Sequence, residues 1–201
     1  LLFVNNLGNQ YHIQVTEIEF VGLLASLYVR DQNSKILNVD VVGQSSYWTW
    51  ATVGKKTVDG IIFGYQNSWK SATYQTKNQW ISYDLGDTYA INAINIIRRS
   101  DSDEPGSRPK DVKLFTSTSA SGPWVLSNSW SCTSYAGNKC RHSGTSPGAQ
   151  YVKLEFVNNH GAINTEVSEV EFFGDKVEAP ATPAPTPAPT PAPTPAPTPA
   201  P

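Results

Sequence analysis

The 201-residue sequence has no methionine, two cysteines, three histidines and no long apolar run. A membrane-spanning helix needs about 20 consecutive apolar residues, so the sequence contains no candidate for one. The 15 lysines and arginines are balanced by 17 aspartates and glutamates, which leaves no general basic surface for duplex nucleic acid. The histidines lack metal-ligand spacing, and neither a nucleophile elbow nor a phosphate-binding glycine loop is present. These absences argue against catalysis.

A segment near the start of the sequence recurs near the end. Residues 16–22 (TEIEFVG) correspond to residues 168–174 (SEVEFFG). A separation of about 150 residues is the size of a domain, since solenoid repeats run about 20–50 residues. The missing methionine and the strand-like start are expected of a fragment of a longer, tandem-domain protein. The predicted organisation is a remnant of a preceding domain at 1–22, a connection or extra strand at 23–37, a complete domain at 38–174 and a stalk at 175–201.

The C-terminal stalk is a Thr-Pro-Ala-Pro repeat from about residue 179 to residue 201. Proline fixes φ and has no backbone donor, which favours extended polyproline II over helix or sheet. We expect a semi-rigid spacer reaching up to about 70 Å at ~3.1 Å per residue. Threonine beside proline is typical of an O-glycosylated stalk, and the alternatives are a bare spacer or a ligand for an aromatic-groove domain.

The two cysteines, Cys132 and Cys140, flank a stretch rich in turn-forming residues. They are expected to form a local disulfide in an oxidising compartment. Free thiols and a zinc site are the alternatives, and zinc would have only His142 close by as a further ligand. Together with the stalk, the disulfide hypothesis places the protein outside the cell.

Alternation of apolar and polar residues indicates β-structure throughout the body. Residues 152–156, 111–114 and 169–172 alternate as half-buried strands do. Residues 81–85 and 93–97 predict two further strands separated by a Gly-Asp turn. No segment of helical length carries a 3.6-residue period. The sequence therefore predicts an all-β antiparallel sandwich or barrel, with ligands bound by loops.

Short motifs occur in a fixed order between residues 38 and 174. They are QSS at 44–46, VDG at 58–60, WISYDLG at 80–86, RPKDVKL at 108–114, GPW at 122–124, YVKL at 151–154 and SEVEF at 168–172. This series resembles the discoidin domain, also called the coagulation factor V/VIII type C domain, of the galactose-binding-like superfamily, which includes family 32 carbohydrate-binding modules and fucose-binding lectins. The resemblance implies an eight-stranded β-sandwich with jelly-roll topology that binds sugars, phospholipid head groups or proteins through loops, without catalysis.

Three tryptophans adjoin these motifs. Trp80 and Trp124 lie beside strand patterns and are interpreted as core aromatics. The same interpretation is weaker for Trp69.

The resemblance also implies one structural calcium ion, held where the first loop meets the last strand. Oxygen ligands from loops suit this ion, which takes six to eight of them. The corresponding residues here are Asp59, Asn67 and Glu169, with the backbone oxygens of Lys56, Ile61 and Ser168. Asn67 stands where the family has threonine, and Ile61 replaces a polar residue. The alternative is a surface aspartate in a turn and an outward-facing glutamate.

Sugar recognition needs an aromatic ring for stacking and side chains that hold hydroxyl groups. By resemblance to fucose-binding members, Arg99 and Asp101 form an Arg-x-Asp element and Arg108 is the second arginine. The upstream histidine of those lectins is missing, with Tyr74 near its place, and their adjacent cysteine pair is absent. We therefore expect a galactose-type or other glycan site rather than strict fucose recognition. For Arg99 the alternative is an ion pair with Asp101 or Asp103 on an exposed loop.

The aromatic segment at residues 47–50 has three interpretations. Trp48 and Trp50 could share one face of a strand, form a sugar-stacking platform, or insert into a membrane as a coagulation-factor spike does. The scarcity of lysine around this segment argues against the membrane.

The sequence thus predicts a non-catalytic extracellular module, secreted or on a cell surface or wall, that binds glycans or glycoproteins beside an upstream sister domain. The candidate ligand contacts are Arg99, Asp101, Arg108, Trp48, Trp50 and Tyr74. The alternatives are adhesion to a protein or to anionic phospholipid, and targeting of a larger secreted glycosidase.

Overall fold

The computed structural model describes residues 34–99, 104–133 and 138–178. The chain divides into two units, residues 1–31 and 32–201, and all the described residues belong to the second. The predictions for the N-terminal remnant and for the repeats from residue 179 lie outside the described residues. Within the described ranges, no helix has both the length and the hydropathy that a membrane span requires.

The described part of the chain is built almost entirely of strands. They are β1 (Asp40–Gln44), β2 (Trp69–Lys70), β3 (Gln79–Ile97), β4 (Asp111–Ser117), β5 (Val125–Ser131), β6 (Lys139–Ser143), β7 (Ala149–Phe156), β8 (Glu166–Val167) and β9 (Glu169–Lys176). Two short 3₁₀ turns, Gly54–Thr57 and Pro105–Ser107, lie in the connections. The predicted alternation is confirmed in β7, where Val152, Leu154 and Phe156 are all fully buried.

The longest strand, β3, has 19 residues and serves both layers of the domain. Its first half pairs with β1 and β7, and its second half pairs with β6 and β9. The pairing register shifts between Asp84 and Tyr89, around Gly86. Gly86 has a φ of 76°, which glycine adopts without steric penalty. The predicted separation of two strands by a turn is therefore wrong, because one continuous strand bends at this glycine.

The strands form two layers around one core. The larger layer has the order β1-β3-β7-β4-β5, and the second half of β3 lies between β6 and β9 in the smaller layer. Counting the halves of β3 separately gives the eight strands of the predicted antiparallel sandwich. Strands β2 and β8 form a separate two-stranded ribbon, Trp69–Lys70 against Glu166–Val167.

Aromatic side chains join the layers in the core. Tyr83 of the larger layer meets Phe172 of the smaller layer edge to face, with ring centroids 5.1 Å apart. Trp69 of the ribbon lies 5.6 Å from Phe156 and is fully buried. Its Nε1 donates to the carbonyl oxygen of Ser46 at 2.8 Å, so its polar atom is also paired. The ribbon is thereby anchored to the sandwich.

The other two tryptophans do not belong to the core. Trp80 and Trp124 are half-buried on the outer face of the larger layer, where the Nζ of Lys153 lies 5.9 Å and 5.1 Å from their rings. The core interpretation is wrong for both, since neither belongs to the buried cluster. For Trp80 the reason is that side chains alternate along a strand. Since Ile81 and Tyr83 point into the core, Trp80 must point outward.

A disulfide joins Cys132 and Cys140, with a Cα–Cα distance of 5.6 Å. The two residues lie at the end of β5 and within β6, and both are buried. His160 contacts the same region, its Nε2 lying 2.9 Å from the carbonyl oxygen of Cys132. The disulfide therefore ties the β5–β6 connection to the body of the sandwich.

Candidate functional site

The ribbon places two oppositely charged side chains in a buried position. Lys70 of β2 is directly opposite Glu166 of β8, and they are 3 % and 2 % exposed. The Lys70 Nζ lies 3.6 Å from Glu166 Oε2. Burying a charge is strongly unfavourable unless it is paired and hydrogen-bonded. The carboxylate of Glu166 is therefore expected to need several partners.

Further groups complete the surroundings of Glu166. Arg99, just after the end of β3, places Nη1 3.7 Å from Glu166 Oε1. The hydroxyl of Ser68 donates to Oε1 at 2.8 Å. The Ser107 hydroxyl lies 3.4 Å from Oε2 and has its shorter hydrogen bond, 2.8 Å, to the Glu104 carbonyl oxygen. Arg99 is only 9 % exposed, so it is not the exposed side chain that the alternative assumed, while Asp101 and Asp103, the partners of that alternative, lie outside the described residues. Two cations and the Ser68 hydroxyl stabilise one buried carboxylate.

Two aromatic rings cover this buried charge. The Nζ of Lys70 lies 4.3 Å from the ring centroid of Tyr65 and 5.7 Å from that of Trp48. The Arg99 guanidinium lies 5.4 Å from the Tyr65 ring. The two rings meet edge to face at 5.6 Å, and half of Tyr65 and 40 % of Trp48 are exposed. Cations over ring faces are stabilising. We call Trp48, Tyr65, Lys70, Arg99 and Glu166 the loop cluster.

A tight turn holds Trp48 in the loop cluster. Its backbone N–H donates to the Lys70 carbonyl oxygen at 2.8 Å, and the Lys70 N–H donates to the Thr52 oxygen at 3.2 Å. Thr52 in turn donates to the Thr49 carbonyl oxygen. The strand interpretation of residues 47–50 is wrong, because their backbone groups form the hydrogen bonds of a turn. Trp50 lies in the turn and is 84 % exposed.

The remaining predicted contacts lie around the loop cluster or outside the described residues. Tyr74 is 81 % exposed on the segment that leaves β2. Arg108 donates from Nε to the Pro105 oxygen at 2.6 Å, within its own turn, and borders the cluster through Ser107. Asp101 lies outside the described residues.

Two buried side-chain oxygens beside Glu166 have no hydrogen-bond partner within the described ranges. They are Oδ1 of Asn164 and Oγ1 of Thr165. Buried polar groups are normally paired with protein or with ordered water. The backbone of Thr165 is nevertheless fixed, since its N–H donates to the Ser71 hydroxyl at 2.8 Å. These two oxygens are thus buried polar atoms beside Glu166 that no described group satisfies.

Three members of the loop cluster were not predicted as site residues. Lys70, Glu166 and Tyr65 belong to no recognised motif. Ser68, which donates to Glu166, is 98 positions from it in the sequence. The sequence hints only that Lys70 follows Trp69 and that Glu166 lies just before the motif at 168–172. Their meeting is a consequence of the ribbon pairing.

A second group of acidic side chains lies in a groove on another part of the domain. Glu169 accepts the Gly60 N–H on Oε2 at 3.1 Å, and Asp59 accepts the Ile61 N–H on Oδ1 at 3.0 Å. Burial raises the pKa of Glu169 to about 7, and the nearby Asp59 charge adds to this while the Gly60 N–H opposes it. We call Asp59 and Glu169, with the residue 59–61 backbone, the acidic groove.

The acidic groove unites part of the predicted calcium set. The Lys56 ammonium lies 3.4 Å from Asp59 Oδ2, and the Ser168 hydroxyl is buried with no partner in the described part of the chain. Asn67 instead donates from Nδ2 to the Phe63 carbonyl oxygen at 2.9 Å, within its own loop. No group of three or more His, Cys, Asp or Glu side chains that could hold a metal ion occurs among the described residues.

The two-layer sandwich and its loop cluster define a galactose-binding-like domain. The model of the F5/F8 type C family described as "NedA-like, galactose-binding domain" matches residues 54–154, half of the chain, and the chain belongs to this family. No curated protein matches the sequence.

Solved structures share this fold at low sequence identity. A family 32 carbohydrate-binding module, CBM32-3, from a family 31 glycoside hydrolase of Clostridium perfringens has a TM-score of 0.57 at 17% identity, covering 68% of this chain and 91% of that one. The family 32 module of C. perfringens NanJ, solved in complex with galactose, has a TM-score of 0.56 at 13% identity, covering 67% and 93%. A Streptococcus pneumoniae fucose-binding module has a TM-score of 0.51 at 17% identity, covering 72% and 97%. The two-layer architecture is therefore shared, whereas these identities carry no ligand assignment.

Proposed function

We propose that this chain is a non-catalytic module that binds glycans at the loop cluster. The observation that carries the proposal is the pair of half-exposed rings, Trp48 and Tyr65, backed by the buried charges of Lys70, Arg99 and Glu166. Exposed ring faces stack on the C–H face of a pyranose, and the buried Lys70 and Arg99 hold these rings in position through cation–ring contacts. Since these cations are already held in place, little ordering is needed when a sugar binds.

A galactose-type sugar is the ligand that we favour. One structural neighbour was solved in complex with galactose and another is a fucose-binding module. The chain belongs to a family described as galactose-binding, and its sequence lacks the histidine and the cysteine pair expected of strict fucose recognition. We therefore place a terminal galactose unit first among the candidates.

We place the module outside the cell, where it directs a larger protein to glycans or contributes to adhesion. The disulfide between Cys132 and Cys140 supports an oxidising compartment. A neighbour that is part of a family 31 glycoside hydrolase supports the targeting role. The upstream sister domain and the stalk are part of this proposal and would allow multivalent binding.

A glycan array followed by calorimetry tests the proposal. The wild-type protein should bind galactose-terminated glycans, and Trp48→Ala should lower the affinity for methyl β-galactoside about tenfold through loss of one stacking surface. Val125→Ala is the matched control, because Val125 is 62 % exposed on β5 and belongs to neither site. Absence of binding to every glycan on the array would reject the proposal.

We also propose that the acidic groove holds one calcium ion. Its donors are hard oxygens, which suit calcium, and Asp59 and Glu169 come from two different elements that the ion would join. The residue 56 and 61 backbone oxygens and the Ser168 oxygen lie on the same two segments. The donors therefore fit calcium in kind, with Asn67 the member least favourably placed. When bound, the ion would stabilise the loop before β2.

Melting curves with calcium and with a chelator test the calcium site. A ligand that binds only the folded state stabilises it by about 2.7 kcal/mol at 100-fold its Kd, so calcium should raise Tm. Asp59→Asn should remove this increase, whereas Asp40→Asn should keep it, because Asp40 is an exposed acid paired only loosely with Lys55 at 3.8 Å. Equal Tm values in calcium and chelator would exclude the site.

Adhesion to anionic phospholipid is the second candidate, favoured by the exposure of Trp50 and Phe63 at 84 % and 63 %. Aromatic side chains of this kind can enter the headgroup region of a bilayer. Sedimentation with phosphatidylserine vesicles distinguishes the two functions. Binding that requires Trp50 but not Trp48 would favour the lipid over the sugar.

A further inference from the structure

Tyr74 combines an unfavourable backbone conformation with an exposed side chain. It is the third residue of a β-turn closed by the Gln75 N–H, which donates to the Ala72 carbonyl oxygen at 3.0 Å, and a positive φ at this position favours glycine or asparagine. Its backbone has a φ of 65°, in the left-handed region, where a bulky residue is an outlier. Its side chain is nevertheless 81 % exposed. Among the ring–ring and cation–ring contacts of the described residues, none includes Tyr74. Glycine would fit this backbone better, so the aromatic ring is kept at a conformational cost.

The backbone of Tyr74 is firmly held by the chain that leads into β8. Its N–H donates to the Ile163 carbonyl oxygen at 2.6 Å. Ile163 is itself 55 % exposed, which puts a second apolar side chain on the neighbouring segment. Strain that the surrounding structure maintains is concentrated at binding and catalytic sites. An exposed ring in such a position is a candidate for ligand contact.

The segments that carry Tyr74 and Ile163 also carry the loop cluster. Lys70 pairs with Glu166 in the ribbon, and the next pair outward is joined by the Ser71 N–H, which donates to the Thr165 oxygen at 2.9 Å. Tyr74 and Ile163 follow on the same two segments. Four residues span at most about 14 Å, so Tyr74 lies within that distance of Lys70, on the segment that leaves the ribbon.

We propose that Tyr74, with Ile163 beside it, forms a second sugar subsite, so that the ligand is a glycan of at least two sugar units rather than a monosaccharide. The inference rests on the proposed sugar binding at the loop cluster. One unit binds against Trp48 and Tyr65, and the next places its C–H face on the Tyr74 ring. Both stacking surfaces are hydrogen-bonded to the segments of the ribbon, Trp48 through the Lys70 carbonyl oxygen and Tyr74 through that of Ile163, so their positions are set before the glycan binds.

Calorimetry with galactose, lactose and N-acetyllactosamine tests the subsite. Wild type should bind at least one disaccharide about tenfold more tightly than galactose, as expected of one added stacking contact. Tyr74→Ala should abolish this difference while leaving the galactose affinity within about twofold, and Tyr74→Phe should keep the difference. Val125→Ala should behave as wild type in both titrations.

Tyr74→Gly separates ligand binding from a structural role. Glycine adopts the left-handed backbone conformation without a steric penalty. The Tm of this variant should therefore stay the same or rise, while the preference for disaccharides is lost. A lower Tm with an unchanged preference would overturn the subsite. Equal wild-type affinities for galactose and both disaccharides would also overturn it, with the proposed function left standing. If wild type binds none of the three sugars, both proposals fail.

Discussion

Among the described residues, two lysines lie beside more than one aromatic ring, and their environments differ. Lys70 lies under Tyr65 and Trp48 in the loop cluster and faces the buried Glu166. Lys153 lies on the outer face of the larger layer, with its Nζ 4.6 Å, 5.1 Å and 5.9 Å from the rings of Phe115, Trp124 and Trp80. In the described ranges no carboxylate pairs with Lys153.

The difference shows how a binding site can be distinguished from a scaffold feature. On the sheet, Phe115 and Lys153 face each other across adjacent strands in regular register, so this contact follows from strand pairing. The lysine stem covers the rings while its charge remains near water. In the loop cluster the charges are buried where loops and a short ribbon converge, and only the rings reach the surface. Buried charge beneath an exposed aromatic surface is what sets the proposed site apart, and the described residues of the sheet have no equivalent.

The largest effect is expected when Glu166 loses its charge. Glu166→Gln leaves Lys70 and Arg99 without the buried carboxylate, and breaking such a pair costs about 3–5 kcal/mol. Urea unfolding of this variant measures the loss. Glu155→Gln is the matched control on the sheet, because Glu155 pairs with Lys113 at 3.1 Å where both side chains are partly exposed. Such pairs contribute about 0–1 kcal/mol.

An equal loss in the free energy of unfolding for Glu166→Gln and Glu155→Gln would contradict the distinction between the loop cluster and the sheet. In that case the buried ion pair of Lys70 and Glu166 would stabilise the fold no more than an exposed ion pair does. A retained far-UV spectrum in Glu166→Gln, together with lost sugar binding, would sharpen the comparison instead. The charges would then be shown to position the site beyond their contribution to the fold.

The next largest effect concerns the rings, and it is measured as affinity. Tyr65→Ala should lower the affinity for methyl β-galactoside about tenfold, with little loss of stability because half of Tyr65 is exposed. Trp124→Ala should leave the affinity unchanged and lower the free energy of unfolding by about 0.5–3 kcal/mol, as most substitutions do. Calorimetry measures the sugar affinity of each variant, and urea unfolding measures its free energy of unfolding. A lowered affinity in Trp124→Ala would contradict the division between site and scaffold.

Much of the fold was predictable because the strands alternate clearly. Burial in β7 follows the sequence pattern at Val152, Leu154 and Phe156. The error at Gly86 arose because a Gly-Asp pair is a local turn signal, whereas the continuity of β3 depends on its different partners on either side of the bend. Trp80 was misassigned although the alternation with Ile81 indicates an outward side chain.

The candidate site was predictable only where a motif carried it. Arg99 was found through the resemblance, and Trp48 through its position in an aromatic segment. Lys70 and Glu166 lie in strands of two residues each, too short for any periodicity to be seen. Their burial results from tertiary pairing of distant segments, which local sequence signals do not encode.

The smallest effect is expected when Lys153 loses its charge. Lys153→Met keeps an unbranched side chain over Phe115, Trp80 and Trp124, so only the cation–ring attraction is removed, at a cost of about 0.5–1 kcal/mol. Lys70→Met should cost more, because Glu166 keeps its burial and loses one of its two cations. Urea unfolding of both variants tests the order. A larger loss in Lys153→Met would mean that the sheet face carries a buried electrostatic contact of its own, and the two lysines would then differ in location but not in kind.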